Sequence, residues 1–260
     1  MTTLVTIGCS WVKGVGAAYS CKNPDDKDTY QSYRGITPHN APYAWRTLLA
    51  KKYNLEQHNL AKGGSANKTQ FRLATEYFNT VENPEDIIVL WGITSIHRDE
   101  LFFNNIDKYR AFIFNRHTKR QEPWERRSGF NVINHFQRHF NEKNEYYQLA
   151  ENIKHWQKYF DLRGIRHKWF DTLNPTNTIH KNAIVFPHEG MPDLMSQMTA
   201  EVSGEPCHGD QMHFSNWLVD SSRIQKLLDH NVVNPHSLHP SQEGSIVIAN
   251  LLDQHVASML

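Results

Sequence analysis

Only three cysteines, Cys9, Cys21 and Cys207, occur in 260 residues. An odd, sparse set without a CxxC pair argues against a disulfide framework and a zinc ribbon, and predicts reduced thiols in a cytoplasmic setting. No run of 18 apolar residues is present, so no transmembrane helix is expected. Residues 1–8 are apolar but short, with no basic leader or small-residue cleavage site, and read as a strand rather than a secretory signal. An excess of one charge is also missing. Lysine plus arginine number 28 against 27 acids, a net charge of +1. That balance argues against binding nucleic acid through bulk charge. There is no internal repeat, no low-complexity stretch and no GxGxxG fingerprint, so a dinucleotide cofactor is not implied. No cofactor or resident metal is expected.

What is present is enough to build a core. Aromatic residues make up 12% and charged residues 21% of the chain, as in a folded domain rather than a disordered tail. The length suits one domain over 1–260. Sixteen histidines raise both proton handling and metal binding as questions.

The chain reads as alternating strands and helices. Residues 4–8 (LVTIG) form a short strand ending in glycine. Trp45, Leu48 and Leu49 set a helix over 42–53, followed by a second strand at 55–61. Phe71, Ala74, Phe78 and Val81 share one face of a helix over 67–81. Residues 86–92 (DIIVLWG) are the clearest buried strand, as expected of a parallel strand covered on both sides. Residues 104–144 are polar, basic and aromatic, and read as an insertion. A helix over 146–163 precedes a strand at 166–171. Residues 172–214 read as irregular and as a second insertion. Helices over 215–230 and 241–258 close the chain. This alternation predicts a parallel sheet with helices on both faces, so the residues just after each strand are where a site belongs.

Four segments stand at such positions. In Gly8-Cys9-Ser10-Trp11, Ser10 follows a strand at a glycine turn, placed either as a nucleophile needing a base or as a turn cap. In Asn59-Leu60-Ala61-Lys62-Gly63-Gly64, the paired glycines bring backbone N–H groups close to a ligand, or simply lead into a helix capped by Ser65 or Asn67. In Gly92-Ile93-Thr94-Ser95-Ile96-His97-Arg98, Thr94 and Ser95 offer oxyanion donors or caps, and Arg98 an anion contact or a structural cation. His239 is held extended before Pro240, a perch for a general base or a plain loop histidine.

In this order the segments resemble the blocks of the SGNH hydrolases, the GDSL esterase/lipase family. Gly8-Cys9-Ser10 stands for its Gly-Asp-Ser. Asn59, Ala61 and Gly64 stand for its second block, Gly92-Ile93-Thr94-Ser95 for Gly-x-Asn-Asp, and His236-Ser237-Leu238-His239-Pro240 for Asp-x-x-His with the following proline. The GCS-W start, N-L-A-x-x-G and the segment ending in Arg98 also resemble a subgroup of phage and marine bacterial proteins. The resemblance implies a three-layer α/β/α, flavodoxin-like fold with a central parallel sheet of about five strands. It implies hydrolysis of acyl esters, with small-molecule or carbohydrate substrates and neither nucleic acid nor membrane as partner. Ser10 would be the nucleophile and His239 the base, with Gly64, Thr94, Ser95 and Arg98 around the oxyanion or substrate.

The chain departs from the pattern at two places. Thr94 replaces the family's asparagine, and His236 stands at the acid position. A neutral imidazole does not stabilise an imidazolium as a carboxylate does. A Ser10–His239 dyad oriented by a backbone carbonyl is one resolution, and a carboxylate from Asp210, Asp193 or Asp171 is another. A weak or inactive, binding or virion-associated protein is a third. The segment His208-Gly209-Asp210-Gln211-Met212-His213 is itself an Asp-x-x-His, and alternatively a metal-dependent hydrolytic loop through His208, Asp210 and His213.

Overall fold

The computed structural model describes residues 1–22, 37–104, 107–113, 130–173, 182–188, 193–204, 222–235 and 237–260. His208, Asp210, His213 and His236 lie outside these residues.

The β-favouring run Thr3–Ile7 forms β1, Glu56–Asn59 forms β2 and Ile87–Ile93 forms β3. Arg98–Phe103 (β4) and Lys108–Ile113 (β5) make a separate antiparallel hairpin. Arg166–Asp171 forms β6. The main sheet runs β2-β1-β3-β6, with every pairing parallel. This is the flavodoxin-like order, whose switch point lies between β1 and β3. The carboxyl ends of those two strands lead into Ser10 and Thr94.

Strand alternation divides the core in two. Ile87, Val89, Trp91 and Ile93 of β3 face one side, where Ala74, Phe78, Leu149, Ile153 and Phe160 cover them. These come from the helices Asn67–Phe78 and Glu142–Leu162. Ile88 and Leu90 face the other side, against Leu49, Met195, Met198, Leu227, Ile248 and Leu252. Those belong to the helices Trp45–Lys52, Leu194–Ser203, Ser222–Asp229 and Gln242–Ala257. The result is a three-layer α/β/α arrangement. Each fully buried aliphatic side chain contributes about 1.5–3 kcal/mol. Among the described residues no helix is long and apolar enough to cross a membrane.

The described sheet has four strands where about five are expected. Beyond β6 the next place holds two single parallel bridges, Trp169 to Ala183 and Asp171 to Asp193. The two stretches read as insertions carry regular structure. The first contains β5 and a helix, Val132–His139. The second contains the helix Leu194–Ser203, in which every residue from 194 to 200 is buried. A helix buried all round shows no amphipathic stripe, so periodicity does not reveal it. The helix expected from 146 begins at Glu142, where Asn141 caps it by accepting the Asn144 N–H. Its first turn is acidic and carries no apolar period.

Candidate active site

Gly8 ends β1 under close quarters: a Cβ there would run into the Val12 side chain and come within 3.0 Å of the Gly92 carbonyl. Ser10 then opens a four-residue helix, Ser10–Lys13, which Gly14 ends in a left-handed conformation at φ 81°. Ser10 is only 8% exposed, and its hydroxyl makes no hydrogen bond among the described residues.

The loop after β2 is tied to this turn. The Gly8 carbonyl accepts the Lys62 N–H at 3.1 Å and the Ser65 hydroxyl at 3.0 Å. Asn59 shapes the loop's start, its carboxamide oxygen accepting from the Thr6 hydroxyl and the Ala61 N–H, both at 3.1 Å. Gly64 lies at φ 70° with open space where a Cβ would stand. Its N–H has no hydrogen-bond partner among the described residues.

Asn67 joins this loop to the end of β3. Its side chain donates to the Thr94 carbonyl at 2.9 Å and accepts the Thr94 N–H at 3.0 Å. Thr94 is fully buried, and its hydroxyl has no partner among the described residues. The Ser95 hydroxyl is turned to its own loop, 3.2 Å from the His97 N–H that it accepts. Arg98 is buried and donates to the Ser65 carbonyl at 3.3 Å.

His239 sits on a tight loop. Asn234 accepts the N–H groups of Ser237 and Leu238 through one carbonyl and donates its own N–H to the His239 carbonyl at 2.8 Å. Leu238 lies at φ 55°, a conformation uncommon for a non-glycine residue. The His239 Nδ1 lies 2.6 Å from the Ser237 carbonyl oxygen. A carbonyl only accepts, so Nδ1 carries the proton and Nε2 the lone pair. Burial pulls this imidazole down to about 4, and the nearby Arg98 cation pushes the same way against the Ser237 bond. Among the described residues no carboxylate bonds His239. Asp193 instead caps the Leu194–Ser203 helix, accepting the Ser196 N–H at 3.0 Å and hydroxyl at 2.9 Å.

Residues 16–21 strap the Ser10 turn to the start of the last helix. A Cβ on Gly16 (φ 83°) would stand 3.0 Å from the His239 Cβ. Gln242 donates its N–H to the Tyr19 carbonyl and its side chain to the Ala18 carbonyl. Glu243 accepts the Ser20 hydroxyl and the Cys21 N–H. The strand-end segments are thus interlocked at one edge of the sheet. Beside them, a small open cleft is lined by Asn67, Lys68, Arg98, Glu145 and Gln148.

Two contacts at these segments are not assigned by the sequence. Asn67 reads as a helix cap and acts as a clamp on Thr94. A backbone carbonyl is one of the orienters open to His239, but no sequence signal singles out that of Ser237. Asp210, His213, His208 and His236 fall outside the described residues, and among those that are described no cluster of three acidic, histidine or cysteine side chains could hold a metal ion.

No family model matches the sequence, and no curated protein matches it. Three solved structures align over 99% of the chain at 12% identity. One is a carbohydrate esterase with divergent catalytic and non-catalytic binding functions in its active site, at a TM-score of 0.44 with 65% of its length covered. Another is the psychrotrophic esterase EstA from Pseudoalteromonas sp., at 0.41 and 98%. The third is the acetyl xylan esterase Est2A from the rumen bacterium Butyrivibrio proteoclasticus, at 0.41 and 63%. The chain spans about two thirds of the length of the first and the third.

Proposed function

We propose that this chain is a serine acyl-ester hydrolase of the SGNH kind, working with a Ser10–His239 dyad on esters of small alcohols or carbohydrates. The observation that carries the reading is the bond from His239 Nδ1 to the Ser237 carbonyl. It leaves a neutral imidazole with its Nε2 lone pair available, on a loop tied through residues 16–21 to the Ser10 turn.

In this reaction Ser10 Oγ attacks the acyl carbon while its proton passes to His239 Nε2. The N–H groups of Ser10 and Gly64 and the Thr94 hydroxyl receive the oxyanion. The buried Arg98, bonded to the Ser65 carbonyl, adds positive charge near the developing negative one. His239 then gives its proton to the leaving alcohol, and an attacking water returns one as the acid is released. The Ser237 carbonyl keeps the imidazole in the correct tautomer, the first duty of a triad acid. It does not supply the acid's full charge, so a lower rate than that of a complete triad is expected.

The test is hydrolysis of p-nitrophenyl acetate. Wild type turns it over, and Ser10→Ala lowers kcat by about 10³-fold or more. Activity that survives Ser10→Ala overturns the reading. If that activity is then lost to a chelator, the metal-dependent alternative through His208, Asp210 and His213 stands in its place. A second reading, a binding or virion-associated protein without turnover, is favoured by the lack of a carboxylate on His239 among the described residues. Failure of the folded wild type on a panel of acyl esters would select it.

A further inference from the structure

The helix that begins with Ser10 has only four residues, too few to hold itself together. Its backbone carbonyls therefore need partners from elsewhere. The Ser10 carbonyl takes the N–H groups of Gly14 and Val15, both at 3.1 Å, and the Cys9 carbonyl takes that of Lys13. Two further carbonyls are met by side chains of consecutive residues on another helix. Trp45 Nε1 donates to the Trp11 carbonyl at 3.1 Å, and Arg46 Nη2 donates to the Lys13 carbonyl at 3.1 Å. The preceding residue, Ala44, presses on Gly14, where a Cβ would come within 2.5 Å of the Ala44 Cβ. Three successive residues thus address one short turn.

Arg46 is unusual in itself. It is 2% exposed, and burial draws its guanidinium down to about 10. Its hydrogen-bond partners are neutral, the Lys13 carbonyl and the Thr47 hydroxyl, and its Nε has none among the described residues. A buried cation without a carboxylate is costly. It gains from standing at the carboxyl end of the Ser10–Lys13 helix, where carbonyl dipoles converge. In the sequence Trp45 marks a helix face, and nothing singles out Arg46.

We propose that Trp45 and Arg46 are positioning residues that fix the Ser10 turn, and with it the direction in which the Ser10 hydroxyl meets its substrate. The inference rests on the reading of Ser10 as nucleophile. The expected signature is a loss in kcat without a matching change in KM, because the substrate contacts stay in place while the attack geometry loosens.

Three variants test it: Trp45→Phe, which keeps a ring and removes the donor, Arg46→Met, and Arg46→Lys, which restores a charged donor. Each is compared with wild type for p-nitrophenyl acetate kinetics, for the rate of Ser10 phosphonylation by a fluorophosphonate followed by mass spectrometry, and for thermal unfolding. Trp45→Phe and Arg46→Met are expected to lower kcat and the phosphonylation rate in parallel, by tenfold or more, with KM within about twofold. Arg46→Lys is expected to recover part of that loss. Folded variants that keep wild-type kcat and phosphonylation overturn the positioning role. So does an Arg46→Met loss that follows only the unfolded fraction. Wild-type activity that persists in Ser10→Ala overturns the underlying reading instead, whatever the Trp45 and Arg46 variants do.

Discussion

A carboxylate and a backbone carbonyl hold a histidine differently, and His239 is held by the carbonyl. Both fix the tautomer and both favour the protonated ring, but a neutral carbonyl does so less than a carboxylate, and here burial outweighs it. With burial drawing His239 down to about 4, the neutral, competent form predominates from weakly acidic pH upward. The kcat/KM for p-nitrophenyl acetate is therefore expected to rise with pH through about 4 and to be flat by pH 6, with circular dichroism confirming the fold at each point. A limb near the ordinary histidine value of about 6.5 would mean that the ring is solvated or paired with an acid. Thr94 permits a second separation of effects. Its hydroxyl is buried without a partner among the described residues, so removing it relieves a desolvation cost. Thr94→Val is expected to hold or raise the unfolding free energy, by up to about 1 kcal/mol, while lowering kcat by about 10–100-fold if the hydroxyl meets the oxyanion. A variant with unchanged kcat removes Thr94 from the oxyanion site. At this scale the sequence was legible where a residue type carries the chemistry: Ser10 after a glycine turn, Gly64 in a glycine pair, His239 before proline. Where a backbone atom does, it allowed for a carbonyl behind His239 but not for which one, because every residue has a carbonyl and nothing in the letters marks Ser237.

Among the elements, the central strands were legible because their alternation or continuous apolar character is a direct image of burial. β3 was expected at 86–92 and spans Ile87–Ile93, and β6 was expected at 166–171 and has those bounds. The hairpin of β4 and β5 was hidden among charged residues. Glu100 shows why, since a charge inside a strand looks like a loop until its partners are known. Buried, it accepts from the Thr69 hydroxyl and from Arg72 Nε and Nη2 at 2.9–3.0 Å, which anchors the hairpin to the Asn67–Phe78 helix. The last helix was legible from its apolar stripe and from its place directly after the His239 loop, but how closely it packs on the residues before that loop was not. Gly244 measures that closeness. A Cβ there would overlap the Val232 carbonyl and come within 2.7 Å of the Met198 side chain, and Val232 immediately precedes Val233, which bridges to Pro240 across the His239 loop. Gly244→Ala is expected to cost about 3 kcal/mol of stability, as overpacking of rigid backbone does, and to lower activity in the fraction that stays folded by displacing His239. Urea denaturation measures the first effect. An unchanged midpoint would show that the helix can move away freely.

For the molecule as a whole, burial disfavours the charged form of three of the described histidines. His239 is drawn down to about 4 and His97 to about 3, both by burial, and His255 is lowered for the same reason. His97 packs its ring on Phe140, and His255 approaches Phe186 edge-on. The sign of the linkage follows from the direction of these shifts. The unfolded chain binds protons on these rings near pH 6.5, whereas the folded chain resists until about pH 4 or below. Stability is therefore complete above pH 6.5 and declines as the pH falls toward the folded values. At pH 5 the loss is about 2 kcal/mol for each of His239 and His97, a large share of the 5–15 kcal/mol that a domain of this kind commands. With a net charge of only +1, overall charge repulsion is small near neutrality and leaves these rings to dominate the first part of the acid response. Unfolding free energies from urea titrations at pH 7 and pH 5 are expected to differ by about 4 kcal/mol. Replacing His97 by Phe, a ring that cannot protonate and can still stack on Phe140, is expected to recover about half of that difference. A stability that stays level between pH 7 and pH 5 would mean that these imidazoles take up protons freely in the folded state, and the neutral character assigned to His239 would fall with it.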